Sequence, residues 1–177
     1  MPIARINIVS FSFNDISVLR IVAEGVRAEF GKDTVMVEGH LDLTEFFDPS
    51  RGQYKGNELL KCIDDHFSAE NRKTIGLFSV DLFIPILTFI YGQAYLGGKS
   101  AIASTHRLTN TRYGLPMNPE LFRERLIKEV IHELGHTFGL IHCHRPECVM
   151  RSSTYVEEID QKSQHLCGSC RKKLNGK

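Results

Sequence analysis

The sequence predicts an α/β fold, a mostly parallel sheet with helices packed on it. Three observations carry this. Short strand-like runs alternate with longer segments of helical period in the order βαβαββα. At 177 residues, 42% of them hydrophobic and 24% charged, the chain can build one core without staples. No internal repeat or low-complexity tract breaks the alternation.

The elements follow in order. ARINIVSF, Ala4–Phe11, reads as a strand. Asn14 is expected to cap a helix through ISVLRIVAEGVRAEF, with Ile16, Leu19, Val22, Ala23 and Val26 on one face. Val35–Val37 is a short strand, and Asn57 is expected to cap a helix ending at Phe67. TIGLFSV, Thr74–Val80, has the apolar run of a buried strand. Two short extended pieces follow, around Thr88–Tyr95 and Ser100–Thr105, separated by Gly97-Gly98. The last helix is the longest. Asn118 supplies a cap and Pro119 a first-turn proline, and apolar residues recur at Phe122, Leu126, Ile127, Val130, Ile131 and Leu134. Beyond Gly139 the character changes: Cys143–Lys177 is polar, cysteine-rich and too short for its own core, so it must fold against the rest or around a metal.

Composition narrows the partners. A net charge of +1 gives no general case for nucleic acid or an anionic membrane. The longest apolar run, DLFIPILTFIYG (Asp81–Gly92), is interrupted by Pro85 and falls short of a membrane span. The opening MPIARINIVSF alternates like a strand and lacks signal-peptide features, so a cytoplasmic protein is expected. In that setting short-spaced cysteines read as metal ligands before disulfides. Cys62, alone in NELLKCIDDHF, is expected to be a small buried hydrophobe.

The chemistry concentrates in HELGHTFGLIHCHRPECVM, His132–Met150. His132 and His136 are four residues apart on the last helix, so both imidazoles leave one face about a turn apart. Glu133 lies about 100° round from His132, where a carboxylate can take a proton from an activated water instead of binding the ion. A helix continued past His136 would carry residue 142 to the wrong side, about 240° away. Gly139 can take a left-handed conformation and turn the chain back, returning His142 to the ion. Five fixed residues in H-E-x-x-H-x-x-G-x-x-H occur by chance in roughly one in twenty thousand chains of this length, which sets aside the plainer reading of satisfied helix-face histidines. The pattern describes a zinc site with three protein ligands and an open fourth position. Met150, placed after it, suits the methionine turn that accompanies this long motif.

Cys143 and Cys148 are five apart and Cys167 and Cys170 form a CxxC pair, the spacing that presents four thiolates to a tetrahedral, structural zinc. Reduced cysteines without metal are the alternative, and the regular pairing counts against it. Arg145, Arg151, Arg171, Lys172 and Lys173 can offset the negative charge of such a site. One site drawing on His142, Cys143 and His144 together fails on geometry, because adjacent side chains rarely point at one ion. Two zinc ions per chain are therefore expected, with the cysteine site holding His142 and Met150 in place. The remaining histidines, His40, His66, His106, His144 and His165, lack motif context and are expected at surface or satisfied core positions, with His144 the one spare ligand.

The HELGHTFGLIH block, followed by Cys143, Cys148, Met150 and the Cys167/Cys170 pair, closely resembles the archaemetzincins. RGQY (Arg51–Tyr54) and VDLFIPILTFIYGQAYLGGKSAIAST (Val80–Thr105) also look like family segments, so the resemblance spans the chain. It implies a metzincin-like α/β (α+β) fold: a twisted, mostly parallel sheet with an antiparallel edge strand, a backing helix and an active-site helix. It makes His132, His136 and His142 ligands of a catalytic zinc, Glu133 the general base and acid, Met150 the turn, and the four clustered cysteines the holders of a second zinc. The stretch near Phe89–Tyr95 becomes the edge strand along which an extended peptide pairs. The chain, 1–177, is expected to be one domain, with an N-terminal subdomain 1–139 carrying the active-site helix and a small zinc-stabilised subdomain 140–177. Two departures stand out: sixteen residues separate Met150 from Cys167, and the position two after the methionine, tyrosine in some metzincins, is Ser152, with Tyr155 poorly spaced to replace it. The oxyanion stabiliser is left unassigned.

The resulting expectation is a monomeric zinc metallopeptidase acting on peptides or proteins. Aminopeptidase action is one form of it and would need a carboxylate for the free amine; Glu157, Glu158 and Asp160 are candidates only by following the methionine turn. The alternatives are a zinc-stabilised peptide- or protein-binding module with little turnover, and a nucleic-acid module built on the cysteine zinc and the Arg171-Lys172-Lys173 tail. The neutral charge counts against the latter.

Overall fold

A computed structural model describes residues 3–11, 13 and 15–176, and the α/β expectation holds over them. The main sheet has the order β2-β1-β5-β8-β7. Its strands are β1 (Arg5–Ser10), β2 (Asp33–Glu38), β5 (Arg72–Phe78), β7 (Gly92–Ala94) and β8 (Ser100–Ser104). All neighbours run parallel except β7, which lies antiparallel to β8 with Gly92 opposite Ala103 and Ala94 opposite Ala101.

Period-two alternation divides the inner strands between two layers. Ile6, Ile8, Ile75, Leu77, Ala101 and Ala103 face a core shared with α1 (Ile16–Phe30) and α3 (Pro119–Thr137). Val9, Phe78 and Ile102 face the opposite core with Leu59, Leu60 and Ile63 of α2 (Gly56–Phe67). The chain after Gly139 adds Val149, Met150, Val156, Ile159 and Leu166 to the first core. Among the described residues no helix is long and apolar enough to cross a membrane.

Several local expectations change. Asn14 lies outside the described residues; the observed α1 cap is Asp15, whose side chain accepts from the Ser17 and Val18 amides. Asn57 is not the α2 cap, because β4 (Gln53–Lys55) runs straight into the helix at Gly56, leaving Asn57 in the first turn with its Oδ1 accepting from Gln93 Nε2 at 2.7 Å. Asn118 does cap α3, through the Leu121 amide. Cys62 is half-buried rather than buried, since the stripe of α2 that packs inward is Leu59, Leu60 and Ile63.

A small second sheet, β3 (Phe47–Asp48), β4 and β6 (Leu82–Phe83), had no signal in a periodicity reading because its strands are two or three residues long. It anchors the approach to β7. Arg51 donates to the carbonyls of Leu87 and Thr88, both at 2.9 Å, and Gln53 Nε2 donates to Thr88 O and to Asp81, each at 3.0 Å. Arg107 grips Asp81 through two bonds and stacks over Phe89. The extended piece expected over Thr88–Tyr95 is thus a strand only over Gly92–Ala94, toward its C-terminal end, with residues 87–91 held as a shaped loop.

Candidate functional site

Helix α3 carries the first half of the site. From Arg125 onward it is buried almost all round, and its inward polar side chains there are partnered. Arg125 forms a two-pronged ion pair with Asp160 and donates to Leu108 O, while Lys128 donates to the carbonyls of Ile159 and Asp160. Those bonds dock α4 (Val156–Gln161) onto the helix. Asp160 is therefore committed to Arg125, and Glu158 to capping α4 by accepting from the amides of Thr154 and Tyr155.

The end of α3 delivers the third histidine. Gly139 has φ +87°. Its amide donates to His136 O at 2.9 Å, and the Leu140 amide reaches back to Gly135 O at 3.0 Å, closing a Schellman turn. A side chain at position 139 would be strained whatever the space around it. The chain then returns along the helix, and Leu140 O accepts from His136 Nδ1 at 2.7 Å. Val149 O accepts from His132 Nδ1 at 2.8 Å. Each bond fixes a ring and leaves its Nε2 for a metal.

The structure brings His132, His136 and His142 together, with one ring nitrogen of each within 4.8 Å of the others. The Nε2 atoms of His132 and His136 are 3.2 Å apart. Ligands of a tetrahedral zinc at the usual Zn–N distance are separated by about 3.3 Å, so the donors fit the ion. Burial pushes all three imidazoles below the ordinary histidine range, His132 furthest, which keeps their lone pairs available at neutral pH. Met150 is fully buried and packs on α3 between the two helix-borne histidines, where a Cβ on Gly135 would collide with its Sδ. The glycine inside the HELGH block is thus explained by the methionine packed on it.

Glu133 is buried beside β7. Burial, helped by the neighbouring Glu129, raises its carboxyl well above the usual range, with Lys162 working against them. A Cβ on Gly92 would stand 2.6 Å from Glu133 Cγ, so this edge position must be glycine-sized. Cavities open on both sides of Glu133. One, of about 350 Å³, runs past Tyr91, Glu129, Ser153 and Lys162. The other, of about 380 Å³, runs along Gln93 and Ala94 to the exposed Leu96 and Ile141. Ser152 lines the first; Tyr155, 67% exposed, does not, in keeping with its poor spacing.

The four clustered cysteines also converge, their sulfurs within 4.8 Å of one another. Cys143 and Cys167 Sγ are 3.8 Å apart, as are Cys148 and Cys170 Sγ. That is too long for disulfides and equals the edge of a tetrahedron with Zn–S arms of about 2.3 Å. The Cys143 amide donates to Met150 O at 2.9 Å, tying this cluster to the methionine. Of the basic residues thought to offset it, Arg171 is bound instead to Glu29, through both its carboxylate and its carbonyl. His144 is exposed and stands outside both clusters.

Three residues in the cleft escaped the sequence reading. Glu129 carried a usable signal, lying four residues before Glu133 on one helix face. Tyr91 fell within the expected edge stretch Phe89–Tyr95 but was not singled out, and Lys162 carried no signal, since only the packing of α4 brings it there.

A helix-borne HExxH, a glycine turn returning a third histidine and a methionine beneath them define the metzincin class of zinc peptidases. The comparisons place the chain within it. Residues 24–176 match the model of peptidase family M54. The archaemetzincin of Pyrococcus horikoshii is 39% identical over 165 residues, covering 90% of this chain and 86% of the relative. The crystal structure of an archaemetzincin from Methanopyrus kandleri superposes with a TM-score of 0.85 at 34% identity, covering 98% of this chain and 94% of that one. One from Archaeoglobus fulgidus, complexed with malonate, gives 0.81 at 30% identity, covering 96% and 99%. The chain belongs to peptidase family M54, the archaemetzincin family of zinc metallopeptidases.

Proposed function

We propose that the protein hydrolyses internal peptide bonds with a zinc ion held by His132, His136 and His142, while a second zinc on Cys143, Cys148, Cys167 and Cys170 is structural. The observation that carries the reading is the convergence of three ring nitrogens beside a buried Glu133 at the end of a sheet whose last strand is β7. Zinc in the histidine cluster supplies a Lewis acid that acidifies water and polarises a carbonyl. Glu133 takes the proton of the attacking water and later passes it to the leaving amine.

The outer edge of β7 has no strand partner among the described residues, and an extended peptide can add there. Antiparallel addition puts the residues before the scissile bond near Ala94 and Leu96 and those after it near Tyr91. Cavities on both sides of Glu133 favour cleavage within a chain. Aminopeptidase action would need a carboxylate on the Leu96 side, and none besides Glu133 lines that cavity.

The test is digestion of a diverse peptide mixture read by mass spectrometry, with zinc-loaded wild type beside Glu133→Ala. Internal cuts that vanish in the variant are expected. If the protein carries both zinc ions and makes no Glu133-dependent cut, the binding-module reading replaces this one. Stepwise loss of N-terminal residues would restore the aminopeptidase.

A further inference from the structure

The cavity on the Tyr91 side of Glu133 has a floor that peptide hydrolysis does not use. Glu129 sits one helical turn before Glu133, and Lys162, just beyond α4, meets it with Nζ 3.4 Å from Oε1. The Lys162 side chain is 0% exposed and that of Glu129 4%. Nζ also donates to Arg151 O at 3.1 Å, which leaves one of its three hydrogens for another acceptor. Tyr91 and Ser153 line the same cavity, and their buried hydroxyls have no partner within hydrogen-bond distance, although Tyr113 stands beside that of Tyr91. Buried polar groups are nearly always satisfied, so orphaned hydroxyls beside a cavity mark a place where a ligand completes the bonds.

We propose that this cavity selects substrates with an uncharged carboxamide side chain, of the glutamine or asparagine class, immediately after the bond that is cut. Glu129 and Lys162 are then the specificity-determining pair; the assignment rests on the peptidase reading above. The chemistry follows from charge balance. The ammonium and carboxylate already neutralise each other, so a charged side chain would be buried without a counter-charge. A hydrocarbon would leave both hydroxyls orphaned, and sites built to bond a polar group reject analogues that lack it. A carboxamide oxygen accepts from Lys162 and a hydroxyl, and its amide hydrogens reach Glu129.

The experiment uses peptides identical except at the residue after the scissile bond, which is glutamine, the similarly shaped methionine, glutamate or lysine. With zinc-loaded protein, kcat/KM for glutamine is expected to exceed methionine by about tenfold or more, the effect of one or two net hydrogen bonds. Calorimetric binding of the same peptides to zinc-loaded Glu133→Ala should rank them alike. The double variant Glu129→Gln/Lys162→Met, which removes both charges together and so leaves no bare buried ion, should bring the glutamine-to-methionine ratio near one. Tyr91→Phe, which removes a single hydroxyl, should lower it severalfold. Equal or better use of methionine, a preference for glutamate or lysine, or a ratio unmoved in both variants overturns the proposal, as does absence of peptide binding. If no peptide is cut but Glu133→Ala still binds the glutamine peptide best, the peptidase reading fails and the cavity assignment stands.

Discussion

The three-histidine cluster and the four-cysteine cluster meet at the His142–Cys143 bond, yet their supports differ. His132 and His136 stand on a nineteen-residue helix packed on the main core. Their rings are oriented by backbone carbonyls of Leu140 and Val149, so that half of the site is built before any metal arrives. The cysteines sit on loops and at the start of α5 (Gly168–Leu174), beside α4; these helices of seven and six residues are too short to persist alone. Besides the docking of α4 on α3 and the apolar side chains this segment gives to the first core, α5 and the approach to it are tied down by bonds to one buried residue: Glu29 accepts from Arg171, from His165 Nδ1 and from the Leu166 amide. The histidine site is thus organised by the core and left open for chemistry. The cysteine site is closed and, on the proposed reading, depends on its metal for order.

This contrast can be broken at several points. The largest expected effect is from Cys170→Ser, which removes a buried sulfur from the four. On the proposed two-zinc reading, zinc content should fall from two to one per chain, and stability should drop by several kcal/mol, on the order of a lost structural metal site. Zinc affinity at the histidines should fall too, because the Cys143 amide holds Met150 and Val149 O holds His132. Metal analysis and denaturant midpoints would check both; unchanged affinity at the histidines would sink the coupling between the sites. By contrast, His136→Ala should cost the histidine zinc while the cysteine zinc and most of the fold remain, measurable by the same two readouts.

Next comes Arg171→Ala, which deprives Glu29 of its guanidinium. A hydrogen bond to a buried charge contributes about 1.5–3 kcal/mol, and the loss should appear first as faster hydrogen exchange in residues 163–174. If exchange rises equally in α1 and β1, the segment is not a separate unit of stability. Gly139→Ala should cost about 1–2 kcal/mol for a left-handed non-glycine residue, and should weaken zinc at the histidines more than at the cysteines. Equal weakening at both sites would place the turn's influence elsewhere.

The smallest effect is a pH dependence away from both clusters. Burial pushes the Asp81 carboxyl up, but Arg107 and Gln53 outweigh it and hold it below its ordinary value of 3.8. With the folded value depressed, the unfolded chain binds more protons at acid pH, so Asp81 contributes fully above its ordinary value. The contribution fades as pH falls through the folded value. The stability difference between wild type and Asp81→Asn should therefore shrink below about pH 4. A difference that grows there would reverse the sign of the argument.

Much of the candidate site was legible because its signals are local. The i, i+4 spacing of His132 and His136 places them on one helix face, and Gly139 marks the turn that returns His142. Cys167 and Cys170 are paired by spacing alone. The fold class was legible from alternating periods, while the antiparallel edge near Phe89–Tyr95 was expected only from the family resemblance and is met by β7. The small sheet was not, because strands of two or three residues have no period to read. Nor was the fate of Asp160, a candidate amine-binding carboxylate that Arg125 claims from thirty-five residues away.

The sequence by itself determined which side chains can meet a metal, because helical geometry and a left-handed glycine act within a few residues. Only the tertiary structure decided what surrounds them: that Glu133 is buried against β7, that Arg51 and Gln53 shape the loop beside it, and that Glu129 and Lys162 share a buried floor. The physical reason is the range of the forces. Backbone dihedrals are set by near neighbours in the chain, whereas the state of a buried charge is set by whatever packs around it, and Lys162 reaches Glu129 across thirty-three residues of sequence.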